Sequence, residues 1–100
     1  MTVTAFQIDL KDNVATALEP LQPGRITLRG DSAEQFMTAV TEIPAGHKIA
    51  LREIAAGEDI VKYGVRIGRA TEDIKKGSWV HLHNIRSVYA VSYTHLPSQP

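Results

Sequence analysis

The chain contains no cysteine. Disulfides, thiolate metal sites and cysteine nucleophiles are therefore excluded, and the redox compartment stays open. Aromatic residues make up only 6% of the chain and are not interleaved with basic ones, as a nucleic-acid stacking platform requires. Neither sign of charge prevails: eleven Lys and Arg balance eleven Asp and Glu. There is thus no general pull toward nucleic acid or an anionic membrane, although a local anion site remains open. No apolar run approaches the roughly 20 residues of a membrane helix, and Met1 to Asp9 lacks the basic-then-apolar pattern of a signal peptide. A soluble, cytoplasmic chain without nucleic-acid or membrane partners is the default expectation. Also missing are a Walker loop, Gly-x-Gly-x-x-Gly and Gly-x-Ser-x-Gly.

What is present is 100 residues, 43% of them apolar, enough for one folded domain with a modest core and little room for an enclosed active site. Alternation of Phe6, Ile8 and Leu10 with polar neighbours predicts a first strand over residues 5–10. Asp12-Asn13 ahead of Val14-Ala15-Thr16-Ala17-Leu18 predicts a short helix, with an Asx side chain capping its first turn and Pro20 and Pro23-Gly24 ending it. Strands follow over residues 25–29, 36–40, 48–51 and 65–70, with Gly68 marking a bulge, and a last strand begins at Val88. Residues 33–42 are ambiguous between helix and strand, with strand favoured. The main unit spans residues 1–92, and residues 93–100, polar and proline-rich, form a tail that holds His95.

One device recurs. Ile43-Pro44-Ala45-Gly46, Ile54-Ala55-Ala56-Gly57 and Ile74-Lys75-Lys76-Gly77 share Ile-x-x-Gly, and an apolar residue returns three places later at Ile49, Ile60 and Val80. Leu21-Gln22-Pro23-Gly24 is a variant. Each reads as an apolar anchor, a tight turn with a positive-φ glycine, and a new strand. The uneven spacing excludes a solenoid and fits a compact, mostly β domain.

Chemistry concentrates in three blocks. Trp79-Val80-His81-Leu82-His83-Asn84 places two imidazoles two residues apart; on a strand they share a face, where they can bind a divalent metal or a substrate's oxygens. His47 and Lys48 follow the turn at Gly46, where an ammonium and an imidazole can receive a carboxylate. Lys62 precedes Tyr63-Gly64, whose glycine permits close backbone approach and whose tyrosine reads equally well as a lid over the core. His47, His81 and His83 together make a three-nitrogen set if the fold joins them. Each of these residues also reads as ordinary solvated surface.

In that order, Ile43 to Leu51, Lys62-Tyr63-Gly64 with Ile67-Gly68, and Trp79 to Asn84 resemble the small domain of the altronate and galactarate dehydratase family. Asp12-Asn13-Val14-Ala15 is similar to that family's N-terminal stretch. The likeness covers about Ile8 to Arg86. It implies a compact SAF-type, β-clip fold, mainly β, and a hydro-lyase component that removes water from a sugar acid to give a 2-keto-3-deoxy acid. It also implies a divalent metal, iron(II) or manganese, and a larger dehydratase subunit or domain without which this chain is not active. On this reading His47, Lys48 and Lys62 are catalytic, Tyr63, Gly64 and Asn84 contact substrate, and His81 and His83 meet the metal. Two alternatives stand beside it: a subunit similar to the small subunit of sulfolactate sulfo-lyase, and a non-catalytic binding or assembly module. Homo-oligomerisation is left open.

Overall fold

The computed structural model describes residues 3–87. The strand at Val88, the tail and the boundary at residue 92 lie outside them. Among the described residues nine short strands form two sheets. The larger runs β4-β3-β1-β2-β5-β8, where β1 is Thr4–Gln7, β2 Val14–Ala17, β3 Gly24–Gly30, β4 Phe36–Ala39, β5 Lys48–Ala50 and β8 Trp79–Val80. The smaller runs β6-β7-β9, with β6 Asp59–Lys62, β7 Val65–Ala70 and β9 Ile85–Ser87. Pairing is antiparallel except between β1 and β3.

The expected N-terminal helix is absent: among the described residues there is no helix, and Val14–Ala17 is the strand β2. The reason lies in where its neighbours bury it. Ala15, Ala17 and Ile49 enter one hydrophobic core with Leu21, Ile26 and Ile43. Val14, Ala50 and Val80 enter a second core with Ile54, Ile60 and Ile74. The β2-β5-β8 part of the large sheet is therefore covered on both faces, so its apolar residues run consecutively instead of alternating. In isolation that run has the look of a helix face. Asp12 and Asn13 do not cap anything; their side chains reach the smaller sheet.

The recurring Ile-x-x-Gly device is built as three copies of one unit. In each, the N–H of the residue after glycine closes a turn onto the carbonyl three residues earlier: His47 onto Pro44, Glu58 onto Ala55, Ser78 onto Lys75. The glycines Gly46, Gly57 and Gly77 take φ of 83°, 87° and 87°, as the third position of a type II turn demands. Each glycine N–H then donates to a buried alanine carbonyl, of Ala17, Ala70 and Ala50 respectively. That alanine's N–H returns a bond to the carbonyl after the glycine. The apolar anchors pair two by two across antiparallel bridges, Leu21 with Ile43 and Ile54 with Ile74. All four are essentially fully buried, so the device fixes one residue in a core and aims the next strand.

A bulge opposite Ile60 and Val61 lets β7 place Gly68 and Arg66 against them, skipping Ile67. Gly68 lies flat on β9, where a Cβ would meet the Arg86 carbonyl at 2.6 Å. No described helix is long and apolar enough to cross a membrane.

Candidate functional site

Three separate elements carry the predicted site residues. His47 and Lys48 leave the turn at Gly46 and enter β5, with His47 anchored by its carbonyl to the Ala17 N–H at 2.8 Å. Lys48 pairs in register with Val80 at the start of the third block. Lys62 ends β6, and Tyr63-Gly64 forms a two-residue hairpin with φ of 59° and 72°. Positive φ at both positions is the type I′ geometry that suits a tight β-hairpin.

The strand expected to carry His81 and His83 is only Trp79–Val80, and residues 81–84 are a turn that leads to β9. Alternation on a strand therefore does not orient the two histidines. Asn84 builds the turn: its Oδ1 accepts the His81 N–H at 2.9 Å and its Nδ2 donates to the Trp79 carbonyl at 2.9 Å. It is buried, and these bonds hold the turn that carries His81 and His83.

What gathers the imidazoles is Trp79. Its ring lies nearly parallel to His81, at 9° with centroids 5.6 Å apart, and tilts toward His83 at 4.8 Å. Its Nε1–H donates to His47 Nδ1 at 3.1 Å. His47 and His81 sit with centroids 4.4 Å apart. The sequence showed Trp79 as part of a block but gave no sign of its contact with His47, 32 residues away.

Charge joins the remaining block. Lys48 is held below the ordinary lysine range, first by its partial burial and then by the nearby Lys62 ammonium. The His81 imidazole is likewise pushed down, first by desolvation and then by His47, Lys48 and His83. Lys62 Nζ lies 5.0 Å from the centre of the Tyr63 ring. The ion pairs of the described residues use Arg52 with Glu58, Arg66 and Arg69 with Asp59, and Lys76 with Glu34. Among those residues, Lys48 and Lys62 have no carboxylate within ion-pair distance. The structure thus brings His47, Lys48, Lys62 and His81 into one cationic neighbourhood. Tyr63 is more than half exposed at its edge.

Asp12 and Asn13 hold this neighbourhood in place. The Asn13 side chain bridges the bulge, donating to the Asp59 carbonyl and accepting from the Val61 N–H, both at 2.8 Å. Its backbone N–H adds a bond to the Val61 carbonyl. Asp12 Oδ1 accepts the Gly64 N–H at 2.8 Å. A Cβ on Gly64 would meet the Asp9 carboxylate at 3.0 Å, so this position keeps its glycine for close approach as well as for φ. Both residues, read in the sequence as a helix cap, are the supports of Lys62.

The imidazoles do not amount to a metal centre. Among the described residues no group of three or more His, Asp or Glu is placed to hold a metal ion, and His47 Nδ1 is already taken by Trp79. The described residues therefore do not fit a complete metal site of the usual three protein ligands.

Two sheets joined by glycine turns, with three imidazoles gathered about Trp79, define a small all-β domain among the described residues. Residues 3–88 match the family described as the altronate/galactarate dehydratase SAF domain, and the chain belongs to that family. It is 40% identical over 94 residues to altronate dehydratase of Bacillus subtilis (strain 168), which covers 89% of this chain and 18% of that protein. It is 41% identical over 82 residues to altronate dehydratase of Escherichia coli (strain K12), covering 82% and 16%. It is also 39% identical over 57 residues to (2R)-sulfolactate sulfo-lyase subunit alpha of Paracoccus pantotrophus, covering 57% of this chain and 85% of that subunit. The chain spans less than a fifth of the length of the altronate dehydratases it matches.

Proposed function

We propose that this chain is the SAF component of a sugar-acid dehydratase and acts with a larger dehydratase subunit or domain. The observation that carries the reading is the gathering of the His47, His81 and His83 rings about Trp79, with Lys48 paired in register to Val80 beside them and no described carboxylate paired with Lys48 or Lys62. An ammonium group without a carboxylate partner gains from a nearby anion. In a polyhydroxy acid that anion is the carboxylate. Neutralising it lowers the cost of removing the adjacent proton, because the carboxylate's charge otherwise resists carbanion character at the α carbon. His47 and His81, a ring-contact apart, are placed to donate to or accept from the substrate's hydroxyl groups. Tyr63 closes the edge.

A divalent metal, iron(II) or manganese in the family resemblance, would supply Lewis acidity toward the departing hydroxyl. The described residues do not complete a ligand set for it.

The test is to combine the full chain with the larger dehydratase component and follow loss of water from altronate and galactarate. Activity that depends on this chain and drops at least tenfold in Lys48→Met supports the proposal. Full activity in a Lys48→Met, Lys62→Met double variant overturns the site. Absence of both association and any effect on turnover overturns the dehydratase reading in favour of a binding module. The relatives named sulfo-lyase subunits match at 39–47% identity over 45–57 residues, and the dehydratases at 35–41% over 79–94 residues. Sulfite release from (2R)-sulfolactate, with no dehydration, would therefore move the reading to that chemistry while leaving the anion site intact.

A further inference from the structure

We propose that Trp79 is a positioning residue that fixes the tautomer of His47, so that the nitrogen left to meet a ligand, Nε2, carries the proton. This rests on the functional reading above for its purpose, though not for its geometry. An indole N–H can only donate. Its bond to His47 Nδ1 at 3.1 Å therefore requires a lone pair on Nδ1, and a neutral imidazole with a lone pair there has its single proton on Nε2.

The indole is well placed to impose this choice. The Trp79 backbone N–H donates to Thr41 Oγ1 at 3.0 Å, and its backbone carbonyl accepts from Asn84 Nδ2. The ring packs on the first hydrophobic core and stacks against His81. His47 is pinned on its other side by backbone bonds to Pro44 and Ala17. Neither ring can swing away without breaking several contacts, which is what holding a tautomer demands of its supports. The consequence is a division of labour. His47 presents a neutral donor to an oxygen of the ligand, and it can do so without adding a further positive charge beside Lys48. An imidazole held in the wrong tautomer cannot perform its hydrogen-bonding role even when its position is unchanged.

The experiment uses the full chain labelled with nitrogen-15, at a pH above the imidazole range so that the rings are neutral. In the unmodified protein, the His47 resonances should show an unprotonated Nδ1 and a protonated Nε2. A scalar coupling across the hydrogen bond should link Trp79 Nε1 to His47 Nδ1. Trp79→Phe keeps an aromatic ring against His81 and the core and removes only the N–H. It should shift the Nε2–H to Nδ1–H ratio by about fivefold, the effect of one ordinary hydrogen bond. A protonated Nδ1 in the unmodified protein, or an unchanged ratio in a folded Trp79→Phe, overturns the proposal. If that variant does not fold, the coupling in the unmodified protein decides alone. No substrate is involved, so this outcome is independent of whether the chain serves a dehydratase. In the turnover assay Trp79→Phe should lower kcat about tenfold with KM little changed, and unchanged turnover beside a shifted tautomer would overturn the catalytic purpose while leaving the geometry standing.

Discussion

The turns at Gly46 and Gly57 share a backbone and differ in chemistry. Both clasp a buried alanine, Ala17 in one and Ala70 in the other, and both close onto a carbonyl three residues back. The residue after the first is His47, which meets Trp79 and His81. The residue after the second is Glu58, whose carboxylate is spent on Arg52 and on the Ala55 N–H of its own turn. The third turn places Ser78 at the same point. The same device thus builds the scaffold three times and is followed by an imidazole once. A turn of this kind fixes direction and burial; what it offers to a ligand depends on the single residue that follows and on which neighbours the tertiary fold sets against it.

The comparison can be broken most sharply at the third turn. Gly77→Ala should destabilise the chain by about 3 kcal/mol or more, because a left-handed φ is costly for alanine and the new Cβ would fall 2.2 Å from the Thr38 carbonyl. Gly46→Ala and Gly57→Ala have open space at Cβ and should cost only the conformational part, about 1–2 kcal/mol each. Denaturant titration of the three variants checks the order, and equal losses would show that crowding at Thr38 is not what sets Gly77 apart.

Asn13→Ala comes next, at about 2 kcal/mol, since it leaves the Val61 N–H and Asp59 carbonyl without their partner. It should also weaken sugar-acid binding by loosening Lys62, an effect that Glu58→Gln on the other side of the comparison should not share. Lys48→Met should do the reverse of Asn13→Ala on stability. It removes a partly buried charge that burial and the Lys62 ammonium both disfavour, so stability holds or rises, while calorimetry of acid binding with the larger component present shows about tenfold or greater loss.

The smallest effects are in pH dependence, and they separate the two turns by range. His81, beside His47, has its folded pKa pushed below the ordinary 6.5. Above that value neither the folded nor the unfolded chain protonates it. As the pH falls through about 6.5 the unfolded chain takes up the proton first, so stability declines. His81→Asn should flatten that step in urea midpoints measured from pH 8 to 5. Glu58, in the sister turn, is held below its ordinary 4.5 chiefly by the hydrogen bond from Arg52, then by the Ala55 N–H. Its contribution is present above that value and disappears as the pH falls through the lowered pKa, so Glu58→Gln should lower stability at neutral pH, with the difference from the parent vanishing only in the more acidic range. A step near 6.5 that survives His81→Asn would mean another group carries it.

Much of the architecture was legible before any coordinates. The Ile-x-x-Gly spacing announced the turns, and the strands at residues 25–29, 36–40, 48–51 and 65–70 appear within a residue or two of their expected places. These signals survive because turn chemistry and period-two alternation are local. Two readings failed for one shared reason. Val14–Ala17 resembled a helix face because both sides of its strand are buried, and burial on the second side comes from a sheet formed by residues 59–87. His81 and His83 resembled strand neighbours because nothing within the block reveals that Asn84 folds it into a turn through Trp79 and His81.

From the chain of residues alone came the inventory: a β domain of glycine turns, two lysines and several imidazoles in three blocks, and a resemblance that the family match bears out. Only the tertiary structure decided that Asp12 and Asn13 support the strand end at Lys62, that Trp79 touches three imidazole rings, and that Lys48 is half-buried with no described carboxylate paired to it. The physical reason is distance along the chain. Backbone preferences act over a few residues, whereas a hydrogen bond from residue 79 to residue 47, or from residue 13 to residue 61, exists only once two sheets have closed on their cores.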